Sequence, residues 1–193
     1  MTRILVLQGH PDTRSSHLCH QLAEAYASAA EENGHLVRRM ELGKTDIPIL
    51  RSRAEWESRN VPIDIGRAQE SLVWADHLLI VFPLWLGDMP ALVKAFFEQV
   101  LRPGFAVSGD VGSGFKPLLA GRSARIVMTM GMPAFVYKWY FGAHCLKLLQ
   151  RNILRFVGIK ADKTTLIGSV EKLTERQRLE KLSEMRRLGA AAC

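Results

Sequence analysis

Apolar and polar positions follow two rhythms along this chain, one with the spacing of helices and one in short continuous runs. Residues 4–8 form an apolar, β-branched run. Leu18, Leu22, Ala25 and Ala29 then recur at helical spacing, and Asn33-Gly34 closes that helix as a left-handed cap does. A second strand is expected over 36–42, where the alternation is poor. Residues 43–64 contain Pro48 and Pro62 and no clear period, so they read as a long connection with a helical turn around 54–58. Asp64 is placed to cap a helix over about 65–75, which leads into the apolar run 77–82, the clearest buried strand in the sequence. Pro83 stops it. Pro90 suits the first turn of a helix that carries Leu92, Phe96 and Val100 on one face. After a Gly-rich connection over 104–121, an apolar strand is expected at 124–130. Leu146, Leu149, Ile153 and Phe156 hold helical register as far as Gly158, and 163–167 reads as a last short strand. Thr174 to Gln177 is a capping-box start to a final helix through Leu179, Leu182 and Met185.

Strands alternating with helices predict an α/β fold: a doubly wound, five-stranded parallel sheet of order 2-1-3-4-5, with residues 1–193 as a single domain. In that order a ligand crevice lies at the carboxyl ends of strands one and three. The loops least explained by packing, 9–16, 83–89 and 131–137, converge there.

Composition narrows the function classes. A chain of 193 residues, 48% hydrophobic and 23% charged, can bury one good core. No apolar run approaches the length of a bilayer, and the segment before the first strand is too short for a signal peptide, so a cytoplasmic protein without membrane insertion is expected. Cys19, Cys145 and Cys193 are odd in number and lack a C-x-x-C pair, which suggests neither a disulfide framework nor a zinc site. The cluster His17-Leu18-Cys19-His20 has no second ligand group and reads as helix surface, so no metal is expected. The net charge of +7 suits nucleic acid, an anionic membrane or a phosphorylated cofactor. Acidic residues interleave the basic C-terminal run and no binding motif accompanies it, so no nucleic-acid partner is expected.

The loops carry the chemistry. Residues 9–16 join a buried strand to a helix start and supply hydroxyls, backbone N–H groups and Arg14 where a helix N-terminus favours an anion. A helix cap at Ser15 or Ser16 accounts for the hydroxyls equally well. Neither a P-loop nor a G-x-G-x-x-G occurs, which disfavours an NTPase or a dinucleotide Rossmann site. Residues 82–91 place Trp85 and several backbone amides on a short loop between two prolines, the mixture a flat heteroaromatic ring requires.

At these residues the sequence resembles a known family. The H-P-x-x-x-S-S loop, the F-P-L-W-x-x-x-P-A motif with its K-x-F-F-E-x-V-L helix, and the later G-x-H-x(8)-I-L-x-F-x-G-I stretch are similar to the flavodoxin-like NAD(P)H:quinone oxidoreductases, over about residues 3–168. The resemblance implies a bound flavin, FMN or FAD, NAD(P)H as co-substrate, a ping-pong hydride transfer to a quinone-like acceptor, and a homodimer. It places His10, Ser15, Ser16 and His17 around the flavin phosphate side and Pro83, Leu84, Trp85 and Leu86 along the ring. Thr129, Met130 and Gly131 complete the ring edge, with Tyr137 and His144 as catalytic groups near the reacting end. Leu86 stands where members often carry a second aromatic residue, and residues 130–136 replace the usual Gly-rich third loop. The alternative within this resemblance is a flavin-binding regulatory subunit of a membrane potassium-efflux system. A one-electron carrier is disfavoured by the basic charge. The aromatic run Trp139-Tyr140-Phe141 and the apolar residues Val93, Phe96, Phe97 and Val100 independently motivate a homodimer.

Overall fold

A computed structural model of the chain describes residues 1–13, 17–110 and 113–193. Its centre is a five-stranded, all-parallel sheet of β1 (Arg3–Gln8), β2 (Leu36–Glu41), β3 (His77–Pro83), β6 (Ser123–Thr129) and β7 (Lys160–Ile167), in the order β2-β1-β3-β6-β7. Counting only these strands, this is the expected order 2-1-3-4-5. Parallel strands covered on both faces need apolar side chains at every position, which is why β1 and β3 read as continuous runs. The two-residue alternation then divides them. Leu5, Leu7, Leu78, Ile80, Phe82, Ile126 and Met128 enter one core, while Ile4, Val6, Leu79, Val81, Val127 and Ile167 enter the other.

The first core is covered by α3 (Ile63–Trp74), α4 (Ala91–Val100) and the helical segment after His144; the second is covered by α1 (Leu18–Glu32) and α7 (Glu175–Ala190). The last two pack backbone to backbone: a Cβ on Gly189 would lie 2.1 Å from the Tyr26 carbonyl oxygen. The capping box of α7 is present, with the Thr174 hydroxyl accepting from the Gln177 amide. Among the described residues no helix is long and apolar enough to cross a membrane.

Several expectations are corrected. The connection over 104–121 contains an antiparallel hairpin, β4 (Val107–Asp110) and β5 (Ser113–Pro117), anchored by buried Ala106, Val107 and Leu119. Its strands are short and pair with each other, so no periodicity announced them. Asp64 does not cap α3: the helix starts at Ile63 after Pro62, and Asp64 sits in its first turn. The long connection does hold a turn of helix, α2 (Arg53–Glu57). It is fastened by buried Arg102, which donates to the carbonyls of Glu55 and Ser58.

The helix expected through Phe156 is divided. Residues 134–139 form α5 (Ala134–Trp139), so the third loop is shorter than 131–137, and the chain then reverses through Gly142 and Ala143, both with positive φ. It resumes as α6 (His144–Lys147) and widens into a π-type stretch, Leu148–Leu154. A π turn takes more residues than an α turn, so the buried face passes from Leu149 to Leu154 and Val157. Phe156 is consequently turned outward against Phe115 of the hairpin. On α4, Val93, Phe96, Phe97 and Val100 are all buried within the one chain, so this helix supplies no argument for a second copy.

One buried group predicts a pH response. His77 is 3% exposed; its Nδ1 bonds the Ser123 hydroxyl at 2.7 Å and its Nε2 has no partner. Burial, followed by the nearby Lys163 and Arg125 charges, pushes its pKa down to about 4. Between an unfolded value of about 6.5 and that folded value, the unfolded chain binds the extra proton. Stability therefore falls as the pH drops through this window, by up to about 1.4 kcal/mol per pH unit from this group. Urea unfolding of wild type and His77→Asn at pH 7, 6 and 5 should show a shallower loss in the variant; parallel losses would remove His77 as the cause.

Candidate functional site

Because the sheet is parallel, the loops after β1, β3, β6 and β7 all leave from one edge. The first is held close by the Gly9 amide, which donates to the Val81 carbonyl at 2.7 Å. A Cβ on Gly9 would stand 2.7 Å from Cγ2 of Val93, so this loop can approach α4 only with glycine there.

After β3, the Leu84 amide donates to the Thr129 carbonyl, and Trp85 and Asp88 exchange both backbone hydrogen bonds across Leu86 and Gly87. Those two residues have φ of 51° and 84°, a left-handed pair that makes a tight turn. The turn leaves Trp85 leaning edge-on to His10, with ring centroids 5.8 Å apart and planes at 83°. Leu86, expected along the ring, is instead fully exposed at the tip of the turn and does not line the cavity.

The third loop is tied to the chain beyond β7. The Met130 amide donates to Ile167, and the amides of Ser169 and Val170 donate to Met132 and Met130. Gly168 makes this possible: a Cβ there would lie 2.3 Å from the Ala134 nitrogen. The contact swings Val170 and Glu171 to the same edge, and Arg178 reaches it from α7.

These loops surround a cavity of about 430 Å³, a volume in the range of small-molecule sites. Of the residues singled out in the sequence, His10, His17, Pro83, Leu84, Trp85, Thr129, Met130 and Gly131 line it. Ser15 and Ser16 lie outside the described residues. Leu18, Cys19, Val170, Glu171 and Arg178 also line it and were missed. Leu18 had been read as core, and the loop after the last strand carries no motif; its position at the carboxyl edge was the available signal.

Polar side chains meet in the cavity wall. Cys19 is buried, its Sγ 3.1 Å from the Thr129 hydroxyl, and burial pushes its thiol up to about 11. His10 is held below its ordinary value by burial, then by the neighbouring His17 and His20. Tyr137 and His144 do not join the lining. Tyr137 is 1% exposed, its hydroxyl accepts from the Leu146 amide at 3.1 Å, and burial raises its pKa to about 12. His144 is exposed, its ring folded back toward Gly142.

The arrangement fits a flat ring with an anionic tail. Pro83, Leu84 and Trp85 offer an apolar wall, main-chain groups of 129–131 an edge, and the imidazoles of His10 and His17 a polar end.

Comparison with known proteins identifies the fold family. Over 182 residues the chain is 26% identical to an uncharacterized NAD(P)H oxidoreductase of Haemophilus influenzae, covering 90% of this chain and 87% of that one. It superposes on an NAD(P)H:quinone oxidoreductase from Methanothermobacter marburgensis with a TM-score of 0.81 at 20% identity, over 100% and 99% of the two chains. An FMN-dependent NADH-azoreductase from Bacillus anthracis, solved in complex with FMN, gives a TM-score of 0.76 at 17% identity over 100% and 99%. At those identities the likeness to the two structures is one of fold. Residues 2–188 match the family described by the flavodoxin-like fold, and the chain belongs to that family.

Proposed function

We propose that this protein is a flavin-dependent oxidoreductase that takes a hydride from NAD(P)H and reduces a quinone-like acceptor. The observation that carries the reading is the convergence of an apolar ring slot and an imidazole-lined end in one cavity at the switch point of the sheet. The names of the related proteins support it: one is an NAD(P)H oxidoreductase, one reduces quinones and one holds FMN. A bound flavin would supply the two-electron chemistry, and the chain supplies binding and electrostatics. Pro83, Leu84 and Trp85 would pack on the ring, Thr129, Met130 and Gly131 would meet its edge, and His10 and His17, with Ser15 and Ser16, would face the phosphate.

The catalytic pair divides by exposure. His144 is exposed and is the proton carrier of this reading. Tyr137 acts as a positioning residue: its hydroxyl and its carbonyl bind the amides of Leu146 and Ala143, which pins the reversal that presents His144. A second copy of the chain is also proposed. Trp139 and Tyr140 are 79% and 81% exposed, and Phe135 and Phe141 close by in the chain are exposed too, a group of aromatic side chains suited to an interface.

Three outcomes follow. The purified protein should bind FMN or FAD at micromolar concentration, bleach with NAD(P)H and regain colour with a quinone. Failure to bind either flavin would falsify the reading, and flavin binding without turnover on soluble quinones would favour the regulatory subunit. Light scattering should give a species near twice 21.7 kDa that Trp139→Glu converts largely to monomer; a monomeric wild type removes the dimer. In stopped-flow reduction by NAD(P)H, His144→Ala and Tyr137→Phe should slow bleaching by about tenfold or more while retaining flavin. Rates within about twofold of wild type in both variants would leave these residues to packing.

A further inference from the structure

A second cavity, of about 140 Å³, lies between α1 and the strands β1 and β2, toward the carboxyl end of the sheet. Val6, Ala23 and Met40 give it apolar walls, and Glu24, Arg39 and Glu41 line it beside them. Gln8, the last residue of β1, is also part of the wall. It is 4% exposed, and neither its Oε1 nor its Nε2 has a hydrogen-bond partner among the described residues. A carboxamide withdrawn from water without a partner is costly on its donor and its acceptor side alike, so the bonding capacity of Gln8 is left for an occupant of the cavity.

The charged groups of this cavity are already matched. Arg39 donates to both Glu24 and Glu31, Glu24 also accepts from the Ser28 hydroxyl at 2.7 Å, and Glu41 is paired with Lys44 at 2.8 Å. Among the described residues no group of three or more His, Cys, Asp or Glu is placed to hold a metal ion. A neutral occupant is therefore favoured over an ion. One water takes up ~30 Å³ of the liquid, so the space is that of a few waters or of one flat ring. The apolar walls suit the faces of a ring, and the Gln8 amide sets what its edge must carry. That edge needs a donor and an acceptor side by side, the pattern that glutamine reads with two hydrogen bonds on the N6 and N7 positions of adenine.

The position of the cavity supplies the source of such a base. His20 is part of its wall, and the His20 ring centroid lies 5.6 Å from that of His10, which lines the large cavity. The two cavities thus flank one pair of imidazoles, close enough for the two ends of a dinucleotide. Resting on the flavin reading above, we propose that the smaller cavity is an adenine subsite read by Gln8, filled by the base of a dinucleotide whose flavin or nicotinamide end occupies the large cavity. FAD and NADH both carry that base; FMN and reduced nicotinamide mononucleotide are their counterparts without it.

The test compares wild type with Gln8→Leu in the Kd of FAD and of FMN for flavin-stripped protein, and in the KM of FMN-loaded protein for NADH and for reduced nicotinamide mononucleotide. Wild type should prefer the adenine-bearing member of one pair by about tenfold, and Gln8→Leu should remove most of that preference, as loss of a two-bond contact to a base predicts. The members without adenine serve as the reference for folding and chemistry, and should change by no more than about twofold. A response in the first pair assigns the adenine to FAD, and one in the second assigns it to the nicotinamide co-substrate. In the wild type alone, adenosine should shift the amide resonances of the Gln8 side chain, Ala23 and Met40, a readout independent of the variant. No preference in either pair, or unshifted resonances, leaves the cavity to solvent and overturns the proposal, while FMN binding and its bleaching by NADH keep the flavin reading standing. A preference that survives in Gln8→Leu overturns the assignment to Gln8, and failure of both flavins to bind overturns this inference together with the reading it rests on.

Discussion

Burial of the central strands on both faces is the constraint from which the rest of this structure follows. In β1, β3 and β6 successive side chains enter opposite cores, so a slip of one residue would exchange Leu5, Leu78 and Ile126 with Ile4, Leu79 and Val127 and ruin both. Fixed register fixes where each strand ends. Since all five run parallel, every functional loop is delivered to the same edge, and the sheet order opens a crevice between the loops after β1 and β3.

Close backbone approaches turn that crevice into a cavity of defined shape. Gly9 lets the first loop settle on α4, and Gly168 lets the chain after β7 pass within bonding distance of the third loop. Backbone hydrogen bonds from Leu84 to Thr129 and from Met130 to Ile167 then join neighbouring loops directly, without depending on flexible side chains. The cavity is therefore held by the same hydrogen-bond pattern that builds the sheet, extended one step beyond it. Trp85 and His10 meet across the first two loops, so the apolar wall and the imidazole end are in contact.

The helical segment after β6 shows how local geometry redistributes roles. Reversal at Gly142 and Ala143 separates α5 from α6, buries Tyr137 in the core and leaves His144 outside. The same reversal exposes Trp139 and Tyr140. A continuous helix over this stretch would have kept the phenol and the imidazole on related faces; the break gives one to packing and the other to solvent.

Sequence alone determined the sheet and its order, because apolar runs of strand length separated by amphipathic helices admit few other burials, and it located the His10, Pro83 to Trp85 and Thr129 to Gly131 parts of the cavity, because loops at strand ends carry residues that packing does not require. It was also sufficient for the capping box at Thr174, a local interaction between residues close in the chain. Tertiary structure decided what depends on distant neighbours. The hairpin after Gly104 and the π widening before Phe156 have no periodic signature, and they meet through the Phe115–Phe156 ring contact and the Leu119 amide on the Val157 carbonyl, between segments far apart in the chain. Leu86 was assigned to the ring by its place in a motif, yet a left-handed turn points it outward. Glu171 and Arg178 reach the cavity only because Gly168 admits the third loop, and the imidazoles of His10, His17 and His20 become one cluster only when Asp12 folds between them. Such approaches are set by three-dimensional sterics and electrostatics, which spacing along a chain does not encode.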